Sequence, residues 1–154
     1  MLTVGSEAPD FVLESHRGGT VRLQNLRGSK RALLVFYPKD DTPGCTAQLC
    51  AIRDDFSVLA EADVVPFGIN ADGVAEHRAF ASSQNYQFDL LVDADGETSR
   101  AYGADRPDNP MPQRTVYIVG RDGTILFAER GAPSPATMLA AIREANDSAD
   151  GSVG

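Results

Sequence analysis

The feature that most constrains the fold is an apolar run at residues 31–37, which ends at Pro38. A strand that is hydrophobic at consecutive positions, rather than at every second one, is typical of a strand covered on both faces. Such strands occur in parallel sheets, whose neighbouring strands are joined by long crossovers that usually contain a helix. The run therefore predicts the central strand of a layered α/β protein.

The remaining segments alternate between helical and extended patterns, as this interpretation requires. Apolar residues recur at helical spacing from Pro43 to about residue 62, which predicts a long amphipathic helix. The other predicted elements are an N-terminal hairpin (11–13 and 21–23), strands at 64–69 and 88–92, helices at 74–85, 97–102 and 135–145, and a second hairpin (115–119 and 124–128). Together they predict an α/β fold with a central mixed β-sheet flanked by helices and an N-terminal β-hairpin.

The length of 154 residues fits one domain, to which we assign residues 1–145. Residues 105–112 are rich in Pro and Asp and predict a loop. Residues 146–154 are small and polar, and we expect them to form a disordered tail.

The net charge and the hydropathy of the chain indicate where the protein is located and which classes of partner it can bind. The chain has 14 Lys and Arg against 22 Asp and Glu, a net charge of −8, which repels nucleic-acid phosphates and anionic lipid surfaces. It has no window of about 18 consecutive apolar residues, and its first residues lack a secretory profile. We therefore expect a cytoplasmic protein without nucleic-acid or membrane partners. Because the cytoplasm keeps thiols reduced, Cys45 and Cys50 should be reactive or inert thiols rather than a structural disulfide.

The segment with the clearest chemistry joins the predicted central strand to the first long helix, at residues 38–50. Thr42 suits a helix N-cap and Pro43 suits the first helical position, so Cys45 falls in the opening turn. The dipole and amides of a helix N-terminus favour anions and are among the features that lower a cysteine pKa from about 8.5 into a range of roughly 3.5–7.5. Cys45 is thus a candidate thiolate nucleophile.

Helical geometry also relates the two cysteines. The apolar stripe of the helix is formed by Leu49, Ile52, Phe56 and Leu59. Cys45 heads this stripe, which predicts that it faces a sheltered pocket at the carboxyl end of the preceding strand. Cys50 is turned about 140° from Cys45, and its Cα is about 8.6 Å away in an ideal helix. Since a disulfide needs a Cα separation below about 7 Å, a bond between them requires the first turns to unwind, which Gly44 makes easier.

The same segment resembles the active site of peroxiredoxins. Pro38, Thr42 and Cys45 match the family pattern of Pro, three residues, Thr, two residues and Cys. A second cysteine five positions after the first, as Cys50 stands after Cys45, resembles the pattern of the peroxiredoxin Q or bacterioferritin comigratory protein subgroup. The resemblance extends over nearly the whole chain, at residues 5–11, 36–40, 88–96 and 101–103. It implies a thioredoxin-like fold and the reduction of hydrogen peroxide and organic hydroperoxides.

The resemblance also implies a role for each residue of the motif. Cys45 would be the peroxidatic cysteine, and Cys50 the resolving cysteine that forms an intramolecular disulfide with it. The Thr42 hydroxyl would hydrogen-bond the thiolate and the peroxide, and Pro38 would shield the site from water. The implied partners are a peroxide substrate and thioredoxin or a similar dithiol reductant, acting on a monomer that needs no metal or organic cofactor.

Peroxiredoxins also use an arginine from the start of a late strand to stabilise the thiolate and the charge on the leaving oxygen. Arg114 matches that position here, and Arg106 in the preceding loop is the alternative. The chain departs from the family pattern at Gln48, where many members carry Glu, and at the polar segment 105–112. These departures leave open the hydrogen-bond network around Arg114 and the preferred peroxide.

Two other function classes are compatible with a thioredoxin-like domain. A disulfide oxidoreductase would exchange disulfides with protein clients, but such enzymes usually separate their cysteines by two residues, whereas four intervene here. A non-enzymatic binding domain would need no reactive thiol and would leave residues 42–45 unexplained. The remaining polar candidates are expected to take no part in the chemistry: His16 in a turn, His77 on a surface helix, and Asp40 and Asp41 in a solvated loop. The two cysteines and the two histidines match no standard zinc pattern.

Overall fold

The computed structural model describes residues 1–107 and 111–145, and of Cys45 only the backbone. The strands are β1 (Val12–Ser15), β2 (Thr20–Arg22), β3 (Arg31–Phe36), β4 (Val64–Asn70), β5 (Asp89–Val92), β6 (Thr115–Val119) and β7 (Ile125–Arg130). The helices are α1 (Pro43–Asp54), α2 (Phe56–Glu61), α3 (Val74–Gln84), α4 (Glu97–Ala101) and α5 (Pro135–Ala145), and a 3₁₀ turn spans Leu23–Leu26. Among the described residues, the strands form one seven-stranded sheet in the order β2-β1-β5-β4-β3-β6-β7.

The apolar run forms β3, an interior strand next to the middle strand β4. All of its residues are buried, and it pairs parallel with β4 on one side and antiparallel with β6 on the other. Because β4 pairs parallel with β5, the carboxyl ends of β3, β4 and β5 lie at one edge of the sheet. The mixed α/β sheet is therefore confirmed, and so is the N-terminal hairpin, since β1 and β2 pair antiparallel.

Both faces of β3 are covered, because alternate side chains of a strand point in opposite directions. Leu33 and Val35 pack in one hydrophobic cluster with side chains of α1, α3 and α5. Leu34 and Phe36 pack in a second cluster, which includes Tyr102. This burial on both faces fixes the point from which the chain leaves β3 and turns into α1.

The long helix predicted from Pro43 to about residue 62 is wrong in one respect, because the chain forms two helices there. Asp55 separates α1 from α2 with φ −102° and ψ 16°, and its amide donates to the carbonyls of Ala51 and Arg53. The consecutive aspartates at 54–55 disfavour a continuous helix, since short polar side chains compete for backbone hydrogen bonds. After the bend, Leu59 of α2 is buried in the same cluster as α1.

The C-terminal part of the chain agrees with the sequence pattern where it is described. The last helix, α5, has the predicted bounds, Pro135–Ala145. The predicted tail at 146–154 and positions 108–110 of the predicted loop lie outside the described residues. Within the described ranges, no helix is long and apolar enough to cross a membrane.

Candidate active site

The predicted site lies where the chain leaves β3 and enters α1. Thr42 precedes the helix with an extended backbone (φ −104°, ψ 149°), and Pro43 is the first helical residue. The Thr42 carbonyl accepts a helical hydrogen bond from the Thr46 amide at 2.8 Å. Cys45 is therefore the third residue of α1, in the turn whose amides and dipole stabilise an anion.

The loop before α1 presents the two other residues of the motif. Pro38 and Thr42 are both half-buried. The Thr42 hydroxyl donates to the Lys39 carbonyl at 3.2 Å, so it is turned back to the loop rather than to the helix amides. Between them, Asp41 adopts the left-handed backbone region with φ 59°, which Asp tolerates better than most residues. This reversal brings Thr42 back toward Lys39.

Arg114 precedes β6 and extends its guanidinium over the first turn of α1. A methyl group on Gly44 would lie 2.7 Å from Arg114 Nη2 and 3.2 Å from Cζ, so the cation packs against the residue next to Cys45. The alternative arginine, Arg106, is exposed and lines a small cavity with Asp95. Of the two, Arg114 is the one that the fold brings to the helix N-terminus.

Gln48 connects α1 to the segment that carries this arginine. Its side chain is buried, and Nε2 donates to the Gly131 carbonyl at 3.3 Å. The Gly131 amide in turn donates to the Arg114 carbonyl at 2.9 Å. Gln48 therefore holds the main chain of Arg114 through one intervening residue. Sequence reasoning missed Gly131, which follows β7 and has no side chain to mark its part in the connection.

Cys50 is a half-buried free thiol with two polar neighbours. Its Sγ lies 3.5 Å from Gln84 Oε1 and 3.5 Å from the Tyr86 hydroxyl. Because an amide oxygen only accepts, the thiol hydrogen is donated to Gln84. The Tyr86 hydroxyl also lies 3.5 Å from the Thr46 carbonyl, so it contacts both the thiol and the first turns of α1. Burial, together with the hydrogen bond to Cys50, raises the pKa of Tyr86 above its ordinary value.

Comparisons with known proteins decide the family. The AhpC/TSA family model matches residues 4–128. The chain belongs to the AhpC/TSA family. Among its relatives in this family is the putative peroxiredoxin bcp of Coxiella burnetii, which is 38% identical over 130 residues, covering 80% of this chain and 85% of the relative. Peroxiredoxin Bcp of Bacillus subtilis is 40% identical over 131 residues, covering 81% and 83%.

A solved structure agrees with this assignment. Peroxidoxin BcpB from Mycobacterium tuberculosis superposes with a TM-score of 0.86 at 30% identity, covering 94% of this chain and 98% of the other. The thioredoxin-like fold of peroxiredoxins, which the sequence motif implied, is therefore confirmed. As a member of this family, the protein is a thiol-dependent peroxidase.

Two expectations about polar residues are wrong in this peroxiredoxin. His77 is not on a solvent-facing side of α3 but is 0% exposed, and its Nδ1 lies 2.5 Å from Asp40 Oδ2. Asp40 is likewise buried, whereas its neighbour Asp41 is exposed as expected. His16 is buried as well, and its Nδ1 accepts a hydrogen bond from the Leu90 amide at 3.0 Å.

The signal for His77 was present in the sequence. His77, Phe80 and Ala81 are spaced by three and four positions, which puts them on one face of α3, and all three are buried. Gln84 and Tyr86 carried no comparable signal, because their contacts with Cys50 join positions 34 and 36 residues apart. Among the described side chains, which exclude Cys45, no group of three His, Cys, Asp or Glu could hold a metal ion.

Proposed function

We propose that Cys45 is the peroxidatic cysteine of this thiol peroxidase and that Cys50 resolves it. The observation that carries the assignment is the position of the Cys45 backbone in the first turn of α1, with the Arg114 guanidinium packed against the neighbouring Gly44. A helix N-terminus and a nearby cation both favour a thiolate over a thiol, and the thiolate is the nucleophile.

In the first half-reaction, the Cys45 thiolate attacks the terminal oxygen of the peroxide. A sulfur–oxygen bond forms, the oxygen–oxygen bond breaks, and the leaving oxygen takes a proton and departs as water or an alcohol. Cys45 is oxidised by two electrons to a sulfenic acid. Arg114 stabilises the negative charge that develops on the leaving oxygen. The Thr42 hydroxyl turns from the Lys39 carbonyl to hydrogen-bond the thiolate and the peroxide, and Pro38 limits the access of water.

In the second half-reaction, the Cys50 sulfur attacks the sulfenic sulfur of Cys45 and water leaves, so that an intramolecular disulfide forms. Both cysteines belong to α1, and five residues of intact helix separate their Cα atoms by about 8.6 Å. A disulfide needs less than about 7 Å. The first turns of α1 must therefore open in every catalytic cycle.

The disulfide must then be opened by a thiol reductant through a mixed disulfide. We assign this step to thioredoxin or a similar dithiol protein. We further infer a monomer, because both cysteines lie in one helix of one chain and the disulfide needs no second subunit. The cytoplasm is the location we favour, since it keeps such dithiol reductants in the reduced form.

Peroxide consumption with a thioredoxin recycling system tests these roles in the wild type, Cys45→Ser and Cys50→Ser. We expect Cys45→Ser to lose turnover, and Cys50→Ser to reduce one equivalent of peroxide without forming the disulfide. Mass mapping of the oxidised wild type should find one Cys45–Cys50 bond within a chain. Normal turnover of Cys50→Ser with thioredoxin would remove the resolving role and leave the peroxidatic role standing.

Arg114→Ala tests the electrostatic assignment. We expect it to raise the pKa of Cys45 and to slow the peroxide step by roughly 100-fold or more, the usual cost of losing a donor to a developing oxyanion. The matched control is Arg106→Ala, which removes an equal charge from an exposed position. Equal effects of the two substitutions, on thiolate titration and on rate, would contradict the assignment.

A further inference from the structure

A buried polar cluster lies directly behind the loop that precedes α1. Its side chains come from the carboxyl ends of neighbouring strands and from α3. They are Asp40 (7% exposed), Asn70 (0%), Asp72 (5%) and His77 (0%). Burying polar and ionisable groups costs free energy unless each one is hydrogen-bonded. The hydrogen bonds of Asp40 offset much of the free-energy cost of burying this cluster.

Asp40 is held both by its side chain and by its backbone. Its Oδ1 accepts hydrogen bonds from the Tyr37 hydroxyl at 2.5 Å and from Asn70 Nδ2 at 3.1 Å. Its Oδ2 contacts His77 Nδ1, and its amide donates to Asp72 Oδ2 at 2.8 Å. Residues at or just beyond the ends of β3 and β4, together with α3, therefore fix a residue midway between Pro38 and Thr42.

His77 extends this cluster to the next strand of the sheet. Its Nε2 lies 2.9 Å from the Leu91 carbonyl in β5. Because a carbonyl only accepts, Nε2 carries a hydrogen, and Nδ1 is left to pair with Asp40. One imidazole therefore connects the loop before α1 to both α3 and β5.

We propose that Asp40 and His77 are positioning residues for peroxide reduction, which rests on the function proposed above for Cys45. Fixing both the side chain and the amide of Asp40 defines the backbone conformation of the loop, in which Asp41 is left-handed and Thr42 lies beside Lys39. Catalytic groups must be held within about 0.5 Å of their productive positions by neighbours that are themselves fixed. Buried pairs of polar or charged groups are often no more stabilising than apolar side chains of similar size, so stability alone does not account for this cluster.

His77→Leu is the decisive substitution, because it keeps the volume and removes both hydrogen bonds of the imidazole. We expect kcat/KM for peroxide to fall roughly 10- to 100-fold, the cost of displacing a reacting group by about 1 Å. Titration of the Cys45 thiolate should also shift, a readout that loss of stability alone would not move. The matched control is His16→Leu, which removes another buried histidine that hydrogen-bonds β5 but has no described contact with the loop. It should lower the midpoint of urea unfolding without slowing peroxide reduction.

Two further variants keep the proposal testable if His77→Leu does not fold. Asp40→Asn preserves the shape: its amide oxygen can still accept from Tyr37 and Asn70, and its NH₂ can donate to a neutral His77. We therefore expect Asp40→Asn to be about tenfold faster than Asp40→Ala. Equal rates for these two variants would overturn the proposal.

The failure of this inference is distinguishable from the failure of the proposed function. A peroxide rate in His77→Leu within about threefold of the wild type, with an unchanged Cys45 titration, would overturn the positioning role alone. So would an equal loss of rate in His16→Leu. Retained peroxide reduction in Cys45→Ser would instead overturn the proposed function, and the positioning role with it.

Discussion

Gly44→Ala is expected to slow peroxide reduction without lowering the stability of the fold. The added methyl group would lie 2.7 Å from Arg114 Nη2 and 3.3 Å from Nη1. Since carbon and nitrogen atoms are in comfortable contact near 3.5 Å, Nη2 must move by roughly 0.8 Å or more. The guanidinium is the far end of a flexible side chain, so this displacement should cost little folding free energy. Alanine is also a better helix former than glycine, by up to about 1 kcal/mol.

The peroxide step should nevertheless slow. A displacement of about 1 Å in a group that stabilises the transition state can cost as much as 100-fold, so we expect a loss of about 10- to 100-fold in kcat/KM. The assay is a single turnover of reduced enzyme with one equivalent of peroxide, which isolates the peroxide step from disulfide formation and recycling. Urea unfolding of the same sample measures stability, and we expect its midpoint to stay unchanged or to rise.

A control separates displacement of the guanidinium from stiffening of the helix. Ala47 is exposed and lies one turn further along α1 than Gly44. Ala47→Gly should lower stability by up to about 1 kcal/mol and leave the peroxide step unchanged. The reasoning is refuted if Gly44→Ala retains the wild-type single-turnover rate, or if Ala47→Gly slows this step as much.

Two further predictions concern the rate of disulfide formation and the pH dependence of stability. Tyr86→Phe keeps the aromatic ring but removes the hydroxyl that contacts Cys50 and Thr46. Losing about 1 kcal/mol of hydrogen bonding from the folded helix should favour its opening and speed disulfide formation about fivefold, measured by alkylation and mass spectrometry; an unchanged or slower rate would contradict this. Burial lowers the pKa of His16 from its ordinary value of 6.5, so the fold favours the neutral imidazole. The stability that neutral His16 contributes is present above pH 6.5 and is lost as the pH falls below it, because the unfolded chain then binds a proton that the folded chain does not. His16→Gln can still accept from Leu90 and should therefore lose less stability than the wild type between pH 7.5 and about 5 in urea unfolding; equal losses would exclude this role for His16.

Much of the fold follows from local patterns in the sequence. The run at 31–37 predicts β3 because a strand covered on both faces is apolar at every position. The bounds of α5, Pro135–Ala145, match the predicted helix. Thr42 and Pro43 take the predicted N-cap and first helical positions, although the Thr42 hydroxyl donates to the Lys39 carbonyl rather than to a helix amide.

The parts that the sequence did not predict depend on tertiary contacts. The bend at Asp55 divides a helix whose apolar periodicity continues across it. Asp40 is buried because strands and a helix distant in sequence enclose it, and its neighbour Asp41 has the same side chain but is exposed. The contact between Cys50 and Tyr86 joins positions 36 apart. No local pattern reports such pairings.

The contact between Cys50 and Tyr86 also makes tyrosine fluorescence a signal for the opening of α1. The chain has four tyrosines and no tryptophan, so tyrosine emission is not masked by indole. Tyr86 is the tyrosine whose hydroxyl contacts the Cys50 thiol, and its ring stacks on Phe88 with centroids 5.0 Å apart. The other three tyrosines are 0% exposed within the two hydrophobic clusters. Opening of α1 would change the surroundings of Tyr86 first, so the catalytic cycle could be followed by its fluorescence without a label.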